Sequence, residues 1–178
     1  MAHVIQPAPT ARAKCRGCGQ PIAKGTLRVG EHLPNPFGEG EMTLWFHVAC
    51  AAYKRPEVFV ETSRSTRLIE DAGALEAAAN RGLEHRRVAR IDGVQRAPSR
   101  RSHCRQCREL IEKGLWRIRI VYYEEGRFAP SGYIHLRCAQ AYFGTTDLLD
   151  RLGHFSPELT ESDLKEIRAG LERAQQAG

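Results

Sequence analysis

One stretch of this chain occurs twice. Residues 8–28, APTARAKCRGCGQPIAKGTLR, return at 97–117 as APSRRSHCRQCRELIEKGLWR, offset by 89 residues with ten of 21 positions identical. Downstream, WFHVACA at 45–51 answers YIHLRCA at 133–139. A duplicated pattern of this kind constrains the fold more than composition does, because both halves must build the same small unit.

Each copy reads C-x2-C, a long interval, then H-x2-C. The intervals hold 28 residues between Cys18 and His47 and 27 between Cys107 and His135. All six cysteines are used, together with two of the seven histidines. Three thiolates and one imidazole suit a tetrahedral structural zinc that leaves no position open for water. The spacing therefore predicts two zinc ions, one on Cys15, Cys18, His47 and Cys50 and one on Cys104, Cys107, His135 and Cys138. His3, His32, His85, His103 and His154 are left as non-ligands. Units of under about 90 residues bury little surface, and metal binding supplies the missing folding free energy. Gly17 and Gly19 suit the tight turn at the first cysteine pair, whereas Gln106 and Arg108 give the second copy less backbone freedom.

Alternating residues in TLRVGEH (26–32) and LWRIRIVYY (115–123) predict strands, with Arg117, Arg119 and Val121 on one face of the second. Turns are expected at PNPFGEG (34–40) and EEGRFAPSG (124–132), followed by return strands TLWFH and GYIH. Trp45, Phe46, Tyr133 and Ile134 are read as core. Helices are expected at 65–82, ended or broken near Asn80 and Gly82, and at 160–176, where Leu164, Ile167 and Leu171 share a face and Thr160 with Asp163 resembles a capping box. The fold class is thus α+β, two repeated zinc modules spanning 8–92 and 93–178, each a short antiparallel sheet followed by helices. Residues 93–103 serve as linker and as leader of the second module.

The formal charge is +6, and its distribution is uneven. Residues 1–143 carry 23 Lys and Arg against 14 Asp and Glu; residues 144–178 carry 4 against 7. A basic body suggests a polyanionic partner. Arginine supplies 22 of the 27 basic residues, which a GC-rich genome alone would also favour. No apolar run approaches a membrane span and no signal core is present, so an intracellular, membrane-free monomer is expected.

The paired cysteines, the I-x-K-G-x-x-R run, the aromatic pair before H-x2-C in the first copy and an arginine three residues before the first cysteine together resemble the PARP-type zinc finger, found at the front of poly(ADP-ribose) polymerase and of DNA ligase III. The likeness covers roughly 8–60 and 97–145. It implies recognition of DNA ends and single-strand breaks. Carried over by position, the resemblance assigns phosphate contacts to Arg12 and Arg28, then Arg101 and Arg117; Arg16 and Arg105, beside the first cysteines, join that set. It also implies apolar side chains from the turn stacked on an exposed base pair: Phe37 and Met42 in the first copy, Phe128 and Pro130 in the second. A guanidinium grips phosphate bidentately without reading sequence, and stacking selects ends over continuous helix.

The expected function is a zinc-dependent reader of DNA strand breaks without catalysis of its own, serving a DNA ligase or polymerase in trans. No P-loop, paired-carboxylate site or nucleophile elbow is evident. Its location would be the nucleoid in a bacterium or the nucleus in a eukaryote. A protein-interaction adaptor built on rigid zinc scaffolds is the alternative, and a charge-driven RNA or general nucleic-acid binder the third reading.

Overall fold

The computed structural model describes residues 2–178. In chain order the elements are β1 (Val4–Pro7), β2 (Leu27–Pro34), β3 (Glu41–His47), α1 (Val48–Lys54), α2 (Pro56–Ser63), α3 (Ala72–Glu84), β4 (Ile91–Arg96), β5 (Trp116–Glu124), β6 (Arg127–His135), α4 (Ala139–Phe143), α5 (Leu149–Phe155) and α6 (Glu161–Ala177). Two three-stranded sheets result, ordered β1-β2-β3 and β4-β5-β6, each followed by helices. The α+β reading therefore holds.

The chain divides into two compact units. One runs up to Glu84 and includes Tyr123–Phe128; the other comprises His85–Tyr122 and Ala129–Gly178.

In the first unit β2 pairs antiparallel with both neighbours, setting Gly30 opposite Trp45 and Arg28 opposite His47. Val29, Leu44 and Phe46 face the core with Ala51, Ala52, Val58 and Phe59 from the two short helices. Pro56 occupies the start of α2, where its missing N–H costs nothing. A buried Glu31 on β2 is held by the Arg55 guanidinium, whose Nε lies 3.0 Å from Oε2, and by the Tyr123 hydroxyl, which donates to Oε2 at 3.0 Å.

The second unit buries an apolar cluster that includes Val94, Ile118, Ile120, Ile134, Phe143, Leu152 and Ile167. Helix α6 begins with a true capping box: Thr160 Oγ1 accepts from Asp163 N at 3.1 Å, and Asp163 Oδ2 accepts from Thr160 N at 3.0 Å. Ile167, Leu171 and Ala174 then face inward.

Several expectations require correction. The 93–103 linker is not a linker at its start: Ile91–Arg96 forms β4, with Val94 buried and paired to Ile118. The long turn at 124–132 contracts to Glu125–Gly126, both at positive φ, and β6 runs through Pro130. The helix expected from residue 65 starts at Ala72 and passes through Asn80 and Gly82 to Glu84; Gly82 is buried, so packing outweighs its poor propensity. Helices α1, α2, α4 and α5 and strand β1 lie outside the expected elements.

Candidate metal centres and nucleic-acid interface

Both centres are built from the same two pieces. The first is the C-x2-C knuckle, closed by Gly19 N donating to Cys15 O and Arg108 N donating to Cys104 O, each at 2.8 Å. Gly19 takes φ 76° and Arg108 φ 67°, so the left-handed corner is the same in both, and the second copy makes it with a side chain that disfavours it. Gly17 answers a second demand, since a Cβ there would lie 2.9 Å from Cys50 Cβ. The knuckles are tied to the return strands by Arg16 N donating to Trp45 O at 2.8 Å and Arg105 N to Tyr133 O at 3.0 Å.

The second piece is the strand-to-helix junction. His47 caps α1 and places Cys50 three residues on, which brings imidazole and thiol to one side of the first turn. His135 does the same ahead of the short 3-10 turn Leu136–Cys138.

The ligand atoms of Cys15, Cys18, His47 and Cys50, and those of Cys104, Cys107, His135 and Cys138, each lie within 4.8 Å of one another. Nδ1 of His47 is 3.3 Å from Cys18 Sγ and 3.9 Å from Cys50 Sγ. The second centre repeats this at 3.4 Å to Cys107 and 4.0 Å to Cys138. A tetrahedron with ordinary zinc bond lengths has S···N edges of about 3.6 Å, so both donor sets fit the ion. His135 Nε2 bonds Leu110 O at 3.2 Å, which fixes the ring and leaves Nδ1 for the metal.

Charge supports the same assignment. Cys15 is pulled down to about 4 chiefly by the thiol of Cys50, which donates to it; Cys50 is pushed up by that bond and by burial. Burial pushes Cys138 up to about 12. Three thiolates coexist at such a point only around a cation, and zinc deprotonates its thiols outright. Four protein ligands per centre make these structural sites rather than catalytic ones.

The residues expected at a polyanion surface fall into three groups. Arg12, Arg16, Arg101 and Arg105 are exposed, and Arg105 Nη1 also donates to Ser131 O at 2.7 Å. Arg28 and Arg117 are each only 6% exposed. Their guanidinium carbons sit 3.5 Å and 3.6 Å from the ring centroids of Trp45 and Tyr133. These two rings, expected in the core with Phe46 and Ile134, are half-buried and carry a cation, while Phe46 and Ile134 are buried as expected. Burial pulls Arg28 below its ordinary value.

The apolar group divides as well. Phe37, in the turn between β2 and β3, is 80% exposed, with the Arg127 guanidinium 5.7 Å from its ring centroid. Phe128 is half-buried: its ring lies 4.7 Å from Tyr123 and 6.4 Å edge-on from Phe46, with Lys54 Nζ at 5.0 Å. Met42 is half-buried and Pro130 is exposed on β6. Arg127 was not singled out from sequence, and Trp45 and Tyr133 are read there as core and not as partners of a cation. The signal available for the rings was their position, two residues before the histidine ligand in both copies.

Two closed Cys3His centres on small α+β modules define a zinc-finger protein. Residues 6–85 match the family model described as the poly(ADP-ribose) polymerase and DNA-ligase Zn-finger region. This segment of the chain is similar to the PARP-type zinc finger, and the second Cys3His centre repeats its ligand set. The chain is 28% identical over 139 residues to poly [ADP-ribose] polymerase of Drosophila melanogaster, covering 70% of this chain and 14% of that protein. It is 27% identical over 172 residues to poly [ADP-ribose] polymerase 1 of Gallus gallus, covering 80% and 17%. Polynucleotide 3'-phosphatase ZDP of Arabidopsis thaliana aligns at 23% identity over 195 residues, covering 94% of this chain and 28% of that protein. The chain thus spans less than a third of the length of these relatives. No helix among the described residues is long and apolar enough to cross a membrane.

Proposed function

We propose that this chain binds DNA at strand breaks, its two zinc modules acting as a sensor or accessory factor for an enzyme that acts on the break. One observation carries the reading: Phe37 presents an almost fully exposed ring in the turn of a unit whose other large aromatics are packed, with Arg127 beside it. An exposed ring is costly to keep in water and is the shape that stacks on a base pair left uncovered at a nick or end. Exposed Arg12 and Arg16 on the knuckle, with Arg101 and Arg105 in the other module, supply sequence-independent phosphate contacts. The zinc-finger family match and the name of the polynucleotide 3'-phosphatase relative agree with a nucleic-acid partner. Closed metal centres suit the zinc to a scaffold role, and in this reading the chemistry on the break is supplied by a ligase, polymerase or similar enzyme.

The test is competition between a nicked duplex and the same duplex sealed, with zinc-loaded protein near physiological salt. A preference for the nick of tenfold or more, about 1.4 kcal/mol, is expected. Equal binding would reduce the modules to charge-driven nucleic-acid binders, and absence of binding would favour the adaptor reading.

A further inference from the structure

Among the described residues, Arg28 and Arg117 are the two buried cations of the sheets that lack a carboxylate partner. Each is 6% exposed, each has an Nε that is sealed from solvent with no hydrogen-bond acceptor, and each has its guanidinium carbon over the ring that precedes its zinc histidine by two residues. A buried guanidinium with an unmet donor is expensive unless something holds it for use. The arrangement occurs in both copies although the ring changes from Trp45 to Tyr133, so the constant feature is a π face under an arginine.

The surroundings are arranged around that contact. Trp45 sits opposite Gly30, and a Cβ on Gly30 would lie 2.7 Å from the indole. The glycine therefore leaves the space that lets the indole lie close across β2 and meet Arg28. No hydrogen bond to the Arg28 side chain occurs among the described residues, so the outer edge of its fork, Nη1 and Nη2, is unspent. In the second unit Arg117 Nη1 donates to Ser102 Oγ at 2.8 Å, and Arg119 stands where Gly30 stands in the repeat.

We infer that Trp45 and Tyr133 are positioning residues for phosphate capture. Each ring takes up one face of a desolvated arginine by cation–π attraction and presents the fork edge to phosphodiester oxygens. Arg28, with both Nη atoms open, is the stronger anion hook of the two. This inference rests on the DNA reading above and adds to it which residues aim the arginines and which module grips harder.

The experiment is a double-mutant cycle on the full zinc-loaded chain, with nicked and sealed duplexes as probes. Arg28→Ala and Trp45→Leu should each weaken binding to both duplexes about tenfold and lower the salt slope by about 0.9. The double variant should bind no worse than Arg28→Ala, and Trp45→Phe, which keeps a π face, should restore binding to within about threefold of the parent. Gly30→Ala displaces the ring without removing it and should reproduce the Trp45→Leu loss. Two zinc ions per chain in each variant separate these effects from unfolding. In a Trp116→Phe background, which leaves Trp45 as the sole indole, added DNA should change the emission, and the further change Arg28→Ala should abolish that response. The corresponding losses for Arg117→Ala and Tyr133→Leu should be smaller. Additive losses in the cycle, or wild-type affinity in Gly30→Ala, would overturn the positioning role while leaving DNA binding intact. Failure of the parent protein to bind either duplex would overturn the functional reading and this inference together.

Discussion

The two modules share a ligand set and a knuckle but stabilise their sheets by opposite means. Where the first has Glu31 on β2 and Arg55 after α1, the second, at offsets of 89 and 88, has Ile120 and Phe143. The first holds a buried carboxylate with a guanidinium and a phenol; the second fills the same positions with apolar side chains in one continuous cluster. At the knuckle the advantage is reversed, with glycine at the left-handed corner of the first and arginine in the second. Identical metal chemistry therefore tolerates different cores, because the zinc fixes the loop ends whatever lies beneath them.

Removing the metal should have the largest effect. Structural zinc in finger peptides contributes on the order of 10 kcal/mol or more at neutral pH, so a strong chelator should unfold both modules, seen as loss of far-ultraviolet circular dichroism and of DNA binding. Acid should act in the same direction, since protons compete with zinc for thiolate and imidazole. Cys104→Ser should cut zinc content to one ion per chain and leave the first module's signals in place. Retention of two ions in that variant would contradict the separate centres.

The core comparison is sharper under substitution. Glu31→Ala removes the buried carboxylate that Arg55 and Tyr123 share, leaves Arg55 its ion pair with the half-exposed Glu57, and should cost about 2 kcal/mol. The double change Glu31→Ile with Arg55→Phe, which copies the second module's pair, should be close to neutral or stabilising. Denaturant midpoints decide the matter, and a double variant as weak as the single one would mean that Tyr123 and the surrounding backbone require the carboxylate.

A smaller effect is expected at the knuckle. Arg108→Gly relieves a left-handed residue and should stabilise the second module by about 1 kcal/mol, while Gly19→Arg should weaken the first by a similar amount. Thermal unfolding of the two variants, each with zinc bound, reads both.

The metal centres were legible because the repeat fixes every ligand at a constant spacing. The recurrence of Ala8/Ala97 and Gly25/Gly114 also had a physical reason that sequence alone did not expose. Gly25 N donates to Ala8 O and Gly114 N to Ala97 O, each at 2.8 Å, bracing the leader against the strand that follows. Strand β4 was hidden because its residues share a segment with Pro98 and three arginines, which read as linker. Helices α1 and α2 were hidden because each is at most eight residues and the Arg55–Pro56 junction resembles a break. The Glu31–Arg55–Tyr123 group and the Arg28–Trp45 pair join residues far apart in sequence, and periodicity carries no signal for such contacts.

The comparison extends to two aromatic residues, Phe37, open in the turn between β2 and β3, and Phe128, packed at the start of β6, and this contrast allows the most direct test of break recognition. The ratio of nicked-duplex to sealed-duplex affinity should be measured for Phe37→Ala and Phe128→Ala. The account predicts that Phe37→Ala brings the ratio towards one with little change in melting temperature, while Phe128→Ala lowers the melting temperature and keeps the ratio. A ratio unchanged in Phe37→Ala and lost in Phe128→Ala would contradict it.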